Sequence, residues 1–247
     1  MSNIINNNNN LGHLGKETII TSEEISKNYK NVLEKIKIHC QKVKRECYNI
    51  KVVAVTKTFP PEVILEAYKA GLRIFGENYA QELRDKSKII NFPDIEWHYI
   101  GRIQTNKLKY IVPVASLIHS VCRIEEIEEI DRLAKKYNKI QDILIEVNVS
   151  GEETKGGISI QHIENLLKAS TRFENVRVIG LMTMAPFIEP EDTRQYFKAL
   201  RELMQKLSGS FSHLRELSMG MSNDYHVAVE EGSTIVRIGT AIFGKRG

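Results

Sequence analysis

Short runs of β-branched and other apolar residues alternate with helical patterns along most of this 247-residue chain. Eight of these runs have the length and composition of strands, and most are separated by segments in which apolar residues recur at helical spacing. Several are continuously apolar, which is typical of strands covered on both faces in a parallel sheet. The eight runs are KVVAVT, RIFGE, EWHYIG, SLIHSV, DILIEVN, RVIGLMT, HLRELSM and TIVRIG.

Eight βα units in a chain of this length predict an α/β fold, a single (β/α)8 barrel of the TIM type. An open, doubly wound sheet is the alternative, but no G-x-G-x-x-G follows the first strand, which weakens a dinucleotide-binding version of it. An extra N-terminal helix is predicted from the sequence TSEE, in which Thr21 and Glu24 have the spacing of a capping box. We therefore expect one barrel domain over residues 21–247. The Asn-rich segment before it, residues 1–20, has a composition that favours disorder.

Composition and charge argue against several classes of function. The chain has 35 Lys and Arg against 31 Asp and Glu, and its basic residues follow no aromatic or Arg-rich stripe, so nucleic-acid binding is not predicted. No apolar run is long enough to span a bilayer, and the first twenty residues lack the features of a secretory signal. No spacing of His, Cys, Asp or Glu predicts a metal site.

The expected compartment is the cytoplasm. Three cysteines, an odd number without a C-x-x-C pair, indicate reduced thiols. The N-terminal segment contains no arginine, which argues against a mitochondrial presequence but leaves that location open. No apolar helix face beyond the predicted core remains for a dimer, so we expect a monomer.

Polar residues gather where the predicted strands end, and in a barrel these ends form the site. Ser222 follows the seventh strand, and Gly239 and Thr240 follow the eighth. Loops at these two positions often bind phosphate in such barrels, because glycine lets backbone N–H groups approach an anion closely. Ser222 also has the character of an N-cap for the next helix. Each residue alone is compatible with a turn or cap only, but together they predict a phosphate site.

Two basic residues face this predicted phosphate site. Lys57 ends the first strand, where it can act as an electrostatic phosphate clamp or as an amine nucleophile that forms a Schiff base. Arg237 lies two residues before Gly239, and period-two alternation puts both on one face of the strand. Arg237 is therefore expected to point into the barrel mouth or, as the alternative, to form a core ion pair with Glu146.

Other polar and sulfur-containing side chains give weaker signals. His98 and His119 lie on predicted strands and are expected to be hydrogen-bonded core histidines rather than ligands. The methionines near the strand ends are expected to be packing residues: Met182, Met184, Met219 and Met221.

Six motifs in this chain resemble, in order and spacing, those of the pyridoxal phosphate homeostasis proteins, also called the YggS or PROSC family. The resemblance covers residues 23–244 and leaves out the Asn-rich segment. The motifs are AVTKTFP, GENYAQE, HYIGRIQTNK, VNVSGEETKGG, GLMTMAP and LSMGMSNDYHVAVEEGSTIVRIGTAIFG.

The resemblance implies a barrel of the alanine-racemase type that binds pyridoxal 5′-phosphate (PLP). By that likeness Lys57 is the Schiff-base lysine, and Arg237 faces the pyridine nitrogen of the cofactor. Asn78, the asparagine of GEN, would lie near the ring. The phosphate would be held by Ser222, Gly239 and Thr240.

The resemblance and the chain length together favour a PLP carrier without a turnover reaction. An arginine at the pyridine nitrogen cannot accept a proton, so the electron sink is weak, which suits either reversible holding of PLP or a racemase that needs only modest carbanion stabilisation. The chain ends at Gly247, directly after the eighth strand, and leaves no room for the C-terminal domain of alanine racemase. We expect no catalytic residue, and PLP-dependent apoenzymes are the expected partners. The alternatives are a racemase-like PLP enzyme and a sugar-phosphate enzyme in which Lys57 only clamps phosphate.

Overall fold

A parallel β-barrel surrounded by helices forms the body of the molecule. The computed structural model describes residues 20–152 and 156–245. The described strands are β1 (Lys51–Val55), β2 (Ile74–Glu77), β3 (Glu96–Tyr99), β4 (Leu117–Val121), β5 (Gln141–Asn148), β6 (Ile158–Ser159), β7 (Val176–Met182), β8 (Glu216–Met221) and β9 (Ile235–Ile238).

Eight of these strands close on themselves. Each pairs in parallel with its neighbour in the order β4-β3-β2-β1-β9-β8-β7-β5, and a further pairing of β4 with β5 completes the ring. The eight correspond to the eight predicted runs, so the predicted (β/α)8 barrel is confirmed and the open sheet is excluded. The two-residue strand β6, which pairs with β5 outside the ring, was not predicted.

The helices follow the strands around the outside of the barrel. They are α1 (Ser22–Lys42), α2 (Pro61–Lys69), α3 (Ala80–Ile89), α4 (Leu108–Ile111), α5 (Ile124–Lys136), α6 (Ile163–Ser170), α7 (Arg194–Ser208), α8 (Tyr225–Glu230) and α9 (Thr240–Phe243). Two short 3-10 turns, Thr105–Lys107 and Pro190–Thr193, precede α4 and α7. None of the helices within the described ranges is long and apolar enough to cross a membrane.

The extra N-terminal helix is present and begins where the sequence predicts. Thr21 caps α1 by accepting a hydrogen bond from the Glu24 N–H at 3.3 Å, while the Glu24 carboxylate accepts from the Thr21 N–H at 3.0 Å. Its buried face, which includes Ile25, Val32 and Ile36, packs into the apolar core. The Asn-rich tail predicted for residues 1–20 lies outside the described residues, apart from Ile20.

Two layers of buried apolar side chains stabilise the barrel. The larger one lies between the strands and the helices. The smaller one fills the barrel interior and consists of Val53, Leu117, Leu144, Ile179, Met182 and Ile235. Burying these branched side chains on both sides of each strand is the main stabilising term, about 1.5–3 kcal/mol for each large side chain. Because the interior is filled at this level, an open space remains only nearer the ends of the barrel.

Candidate functional site

The carboxyl ends of the strands surround a cavity of about 280 Å³. This volume is at the lower end of the range for small-molecule sites. Its wall contains every residue that the sequence predicts for the site, so the barrel brings together side chains that lie up to 183 positions apart. These residues are Lys57, Asn78, Ser222, Arg237, Gly239 and Thr240.

Lys57 enters the cavity because of the two-residue period of β1. Val53 belongs to the barrel interior, and Val55 and Lys57 continue the same face into the cavity wall. The side chain of Lys57 is half-buried. The next residue, Thr58, has a φ of 67°, a left-handed conformation that a β-branched residue rarely adopts.

Ser222 connects the two loops that the sequence predicts to bind phosphate. Its hydroxyl oxygen accepts hydrogen bonds from the N–H of Gly239 at 3.1 Å and of Ala241 at 3.2 Å. Both lone pairs are thereby used, and the hydroxyl proton remains for another acceptor. The N-cap prediction for Ser222 was wrong: helix α8 begins at Tyr225 with Asp224 as the residue at its N-cap. Ser222 lies two positions too early and instead bonds across to the turn after β9.

Arg237 lies one layer deeper in the same cavity. Its guanidinium donates to the Ser218 hydroxyl at 2.5 Å and to the Thr183 carbonyl at 3.0 Å. Burial lowers the pKa of Arg237 to about 10, while Glu146 and Asp224 act in the opposite direction, so the side chain stays charged at neutral pH. Of the two expectations for Arg237, the barrel mouth is correct. The described residues contain no ion pair within 4 Å between Arg237 and Glu146.

A hydrogen-bond chain leads from Arg237 into the barrel interior. The Ser218 hydroxyl lies 2.9 Å from Nδ1 of His119, and Nε2 of His119 lies 3.0 Å from Nδ1 of His98. Burial lowers the pKa of both imidazoles, which keeps them neutral. Ser218 accepts from Arg237, and the donors in the Ser218–His119 and His119–His98 hydrogen bonds depend on the tautomer of each ring. The prediction that His98 and His119 are hydrogen-bonded core residues is confirmed.

Asn78 contributes an unpaired acceptor to the cavity wall. Its side-chain Oδ1 is buried and has no hydrogen-bond partner within the described residues. The loop after β3 holds the backbone of Asn78, because a Cβ on Gly101 would lie 1.9 Å from the Asn78 carbonyl oxygen. Only glycine allows this close approach. A hydrogen-bond donor on a ligand can therefore pair with Asn78.

The sequence profile described as "Alanine racemase, N-terminal domain" matches residues 31–247 of the chain. A pyridoxal phosphate homeostasis protein of Aquifex aeolicus is 49% identical over 217 residues, which are 87% of this chain and 95% of that protein. One from Vibrio alginolyticus is 38% identical over 229 residues, covering 90% and 97% of the two chains. The chain belongs to the pyridoxal phosphate homeostasis protein family.

A solved structure has a similar fold over most of the chain. PipY of Synechococcus elongatus PCC7942, determined with PLP bound, is 30% identical and superposes with a TM-score of 0.79. The match covers 89% of this chain and all of PipY. The predicted resemblance to the pyridoxal phosphate homeostasis family is thus confirmed over the barrel.

The pocket of this pyridoxal phosphate homeostasis family member has further wall residues that the sequence did not predict. Asp224 is buried, which raises its pKa, and its carboxylate accepts the Met221 N–H at 2.6 Å. Met184 and Phe187, from the segment after β7, form the apolar rim, and Phe187 is 92% exposed. The packing prediction holds for Met182 and Met219, which are buried, but was wrong for Met184, which is 45% exposed. Methionine composition alone cannot distinguish a rim from a core.

Proposed function

We propose that this protein binds PLP in the cavity at the carboxyl ends of the strands and acts in PLP homeostasis or delivery without a turnover reaction. Lys57 forms the Schiff base, and Arg237 faces the pyridine nitrogen. Asn78 lies near the ring. The phosphate is held by Ser222, Gly239 and Thr240.

The observation that carries this proposal is the convergence of these six residues on one cavity. The N–H of Gly239 is donated to Ser222, so Gly239 would contribute room for the phosphate rather than a hydrogen bond. Ser222 has a hydroxyl proton left for a phosphate oxygen, because its lone pairs accept from Gly239 and Ala241. The buried oxygen of Asn78 needs a donor. A family member of 30% identity has been solved with PLP bound, which supports the same ligand here.

The chemistry that PLP supplies when bound is an aldehyde that condenses with a primary amine. Lys57 would provide that amine and hold the cofactor covalently, with water as the product released. Lys57 is the only lysine among the described residues of the cavity wall, and the two-residue alternation of β1 directs its side chain inward. The amine is thus placed where the proposed Schiff base requires it, and the trapping experiment below distinguishes this role from a phosphate clamp.

The ionisable groups of the cavity support a carrier rather than a racemase. The described wall contains three of them, Lys57, Asp224 and Arg237. Arg237 is a cation and cannot accept a proton at the pyridine nitrogen, which leaves the cofactor a weak electron sink. The carboxylate of Asp224 accepts a hydrogen bond from the Met221 N–H. Racemisation needs a proton-transferring group on each face of the substrate, and Lys57 supplies one face only.

Borohydride trapping tests the binding proposal. The purified protein incubated with PLP should become yellow, and reduction followed by peptide mapping should give a pyridoxyl adduct on Lys57. Lys57→Ala should lose the adduct yet retain part of the PLP through the phosphate contacts. Thr240→Ala should keep the adduct but release PLP faster. An adduct on another lysine, with Lys57 unmodified, would contradict the proposal.

Two further assays separate the alternative functions. A carrier should transfer PLP to a PLP-dependent apoenzyme faster than a trap for free PLP can intercept it. Racemisation of an amino acid that disappears in Lys57→Ala would instead identify an enzyme. Binding of a sugar phosphate in preference to PLP would favour the phosphate-clamp reading of Lys57.

A further inference from the structure

A buried charged cluster lies directly behind Lys57, on the outer side of the barrel wall. Lys86 of α3 is only 6% exposed, and Glu77 at the end of β2 is fully buried. The ammonium of Lys86 donates to the carboxylates of Glu77 at 2.8 Å and Glu82 at 2.7 Å. Burying these charges is costly, so their arrangement needs a reason beyond stability.

The cluster is bonded to the backbone on both sides of Lys57. The third donor of Lys86 goes to the carbonyl of Thr56 at 2.8 Å, which uses all the hydrogens of the ammonium. The Thr56 hydroxyl donates to Glu77 at 2.6 Å. The N–H of Thr58 donates to Glu82 at 2.9 Å. The three residues of the cluster thus restrain the positions immediately before and after Lys57.

The hydrogen bond to Thr58 stabilises a backbone conformation that is unfavourable in itself. A β-branched residue at a φ of 67° persists only where its surroundings over-determine it. In this structure the N–H of Thr58 is held by a hydrogen bond to a carboxylate oxygen of Glu82. Burial works against ionisation of this carboxyl, but hydrogen bonds from Lys86 and the Thr58 N–H outweigh it and hold its pKa below the usual value. Glu82 is therefore a carboxylate at neutral pH.

We propose that Glu82 and Lys86 are positioning residues for Lys57. They act through the backbone of residues 56–58, which they hold in the turn that directs the amine of Lys57 into the cavity. Neither side chain lies in the described wall of the cavity. The inference rests on the proposed function, in which Lys57 is the lysine that reacts with PLP.

Two ligands distinguish positioning of Lys57 from general damage to the pocket. PLP can react with the lysine, whereas pyridoxine 5′-phosphate carries an alcohol in place of the aldehyde and binds only by its ring and phosphate. Glu82→Ala should weaken PLP binding about tenfold, the order expected when one hydrogen bond to a charged group is lost. Binding of pyridoxine 5′-phosphate should change less than about twofold. An equal loss for both ligands would overturn the proposal.

Rescue and conservative variants sharpen the test. Glycine adopts a positive φ without strain, so Thr58→Gly added to Glu82→Ala should recover most of the lost PLP affinity. Glu82→Gln keeps an oxygen for the Thr58 N–H and should stay within about threefold of the wild type. No recovery in the double variant, or a loss in Glu82→Gln as large as in Glu82→Ala, would contradict a role through Thr58.

A matched control comes from the same helix. Asp85 is exposed and pairs with the neighbouring Arg84, away from residues 56–58, so Asp85→Ala should leave both affinities unchanged. Hydrogen exchange of the Thr58 amide, measured without any ligand, should accelerate in Glu82→Ala and not in Asp85→Ala. If the wild type gives no adduct on Lys57, the proposed function fails, whereas the exchange experiment still reports whether Glu82 holds the turn. Unchanged exchange in Glu82→Ala would overturn the positioning role itself.

Discussion

The buried hydroxyl of Ser218 is one of two groups that orient the guanidinium of Arg237, the other being the Thr183 carbonyl. Ser218 is fully buried, accepts from Arg237 at 2.5 Å and lies 2.9 Å from Nδ1 of His119. Since a guanidinium has only hydrogen-bond donors, the serine can only be an acceptor toward the arginine. The neutral histidines below it add no competing charge, so the guanidinium is the fixed cation in this part of the cavity.

Ser218→Ala should destabilise the protein more than loss of an ordinary buried serine. The change leaves one hydrogen of Arg237 and Nδ1 of His119 without a partner, and each buried unsatisfied group costs about 1–3 kcal/mol. Ser170→Ala is the control, because this buried hydroxyl donates only to the Leu167 carbonyl of its own helix. Urea denaturation measures both. A free energy of unfolding no lower in Ser218→Ala than in Ser170→Ala would refute the role assigned to Ser218.

At the scale of elements, the turn from β8 into α8 delivers Ser222 to the cavity. Gly220 has a φ of 94°, and a Cβ on it would lie 2.6 Å from the Cβ of Ala228 and 2.8 Å from the Cα of Tyr225. The strand end and the short helix therefore touch through a position that has room only for hydrogen. The same turn carries Ser222 to its contacts with the N–H groups after β9.

Gly220→Ala should be more harmful than an equivalent change in an open turn. Gly71 has a similar φ of 97° but nothing within 4 Å of its Cβ position, so Gly71→Ala measures the backbone strain alone, about 1–2 kcal/mol. Gly220→Ala adds overpacking of about 1–3 kcal/mol. Because α8 must shift, it should also weaken PLP retention, which Gly71→Ala should not. Thermal unfolding and PLP dissociation measure the two effects, and equal losses in both variants would contradict the close packing at Gly220.

The elements and the place of the site could be predicted because they depend on short-range pattern. Strand-length apolar runs identify all eight barrel strands, and the capping box of Thr21 and Glu24 identifies the start of α1. Period-two alternation, combined with a barrel, is enough to put Arg237 below Gly239 in the cavity. The N-cap of α8 could not be predicted, because Ser222 and Asp224 are both good capping residues and the long-range bond of Ser222 decides between them.

The cluster behind Lys57 could not be predicted for a different reason. Glu82 and Lys86 have the spacing of an ordinary surface ion pair on a helix. A signal was present, since Lys86 falls on the same helical face as the buried Ala80, Leu83 and Ile90. Its partners on β1 and β2, however, are brought to it only by the parallel pairing of those two strands. Tertiary pairing, rather than local sequence, turns a surface pair into a buried one.

At the scale of the whole molecule, an ion cluster ties the N-terminal helix to the barrel. Glu230 of α8 accepts from His39 at 2.6 Å and Lys42 at 2.7 Å, both on α1, and from Arg194 of α7 at 2.7 Å. Its side chain is only 3% exposed. Burial alone would raise the pKa of Glu230, but the hydrogen bonds from these three residues outweigh it and lower the pKa to about 2.

Stability should therefore fall in acid through Glu230. A carboxyl whose pKa is lower in the folded than in the unfolded state stabilises the fold above its ordinary value of 4.5, and this contribution is lost as the pH falls from 4.5 towards 2. At about 1.4 kcal/mol for each pKa unit, the loss is about 3 kcal/mol.

Urea denaturation should show the stability difference between the wild type and Glu230→Gln shrinking by about that amount between pH 5.5 and pH 2. Glu164→Gln is the control, because its pair with Lys168 is exposed and screened by solvent, so its stability difference from the wild type should stay nearly constant with pH. A Glu230→Gln difference that is constant with pH would mean that folding does not favour ionisation of Glu230, and would contradict the role assigned to this ion cluster.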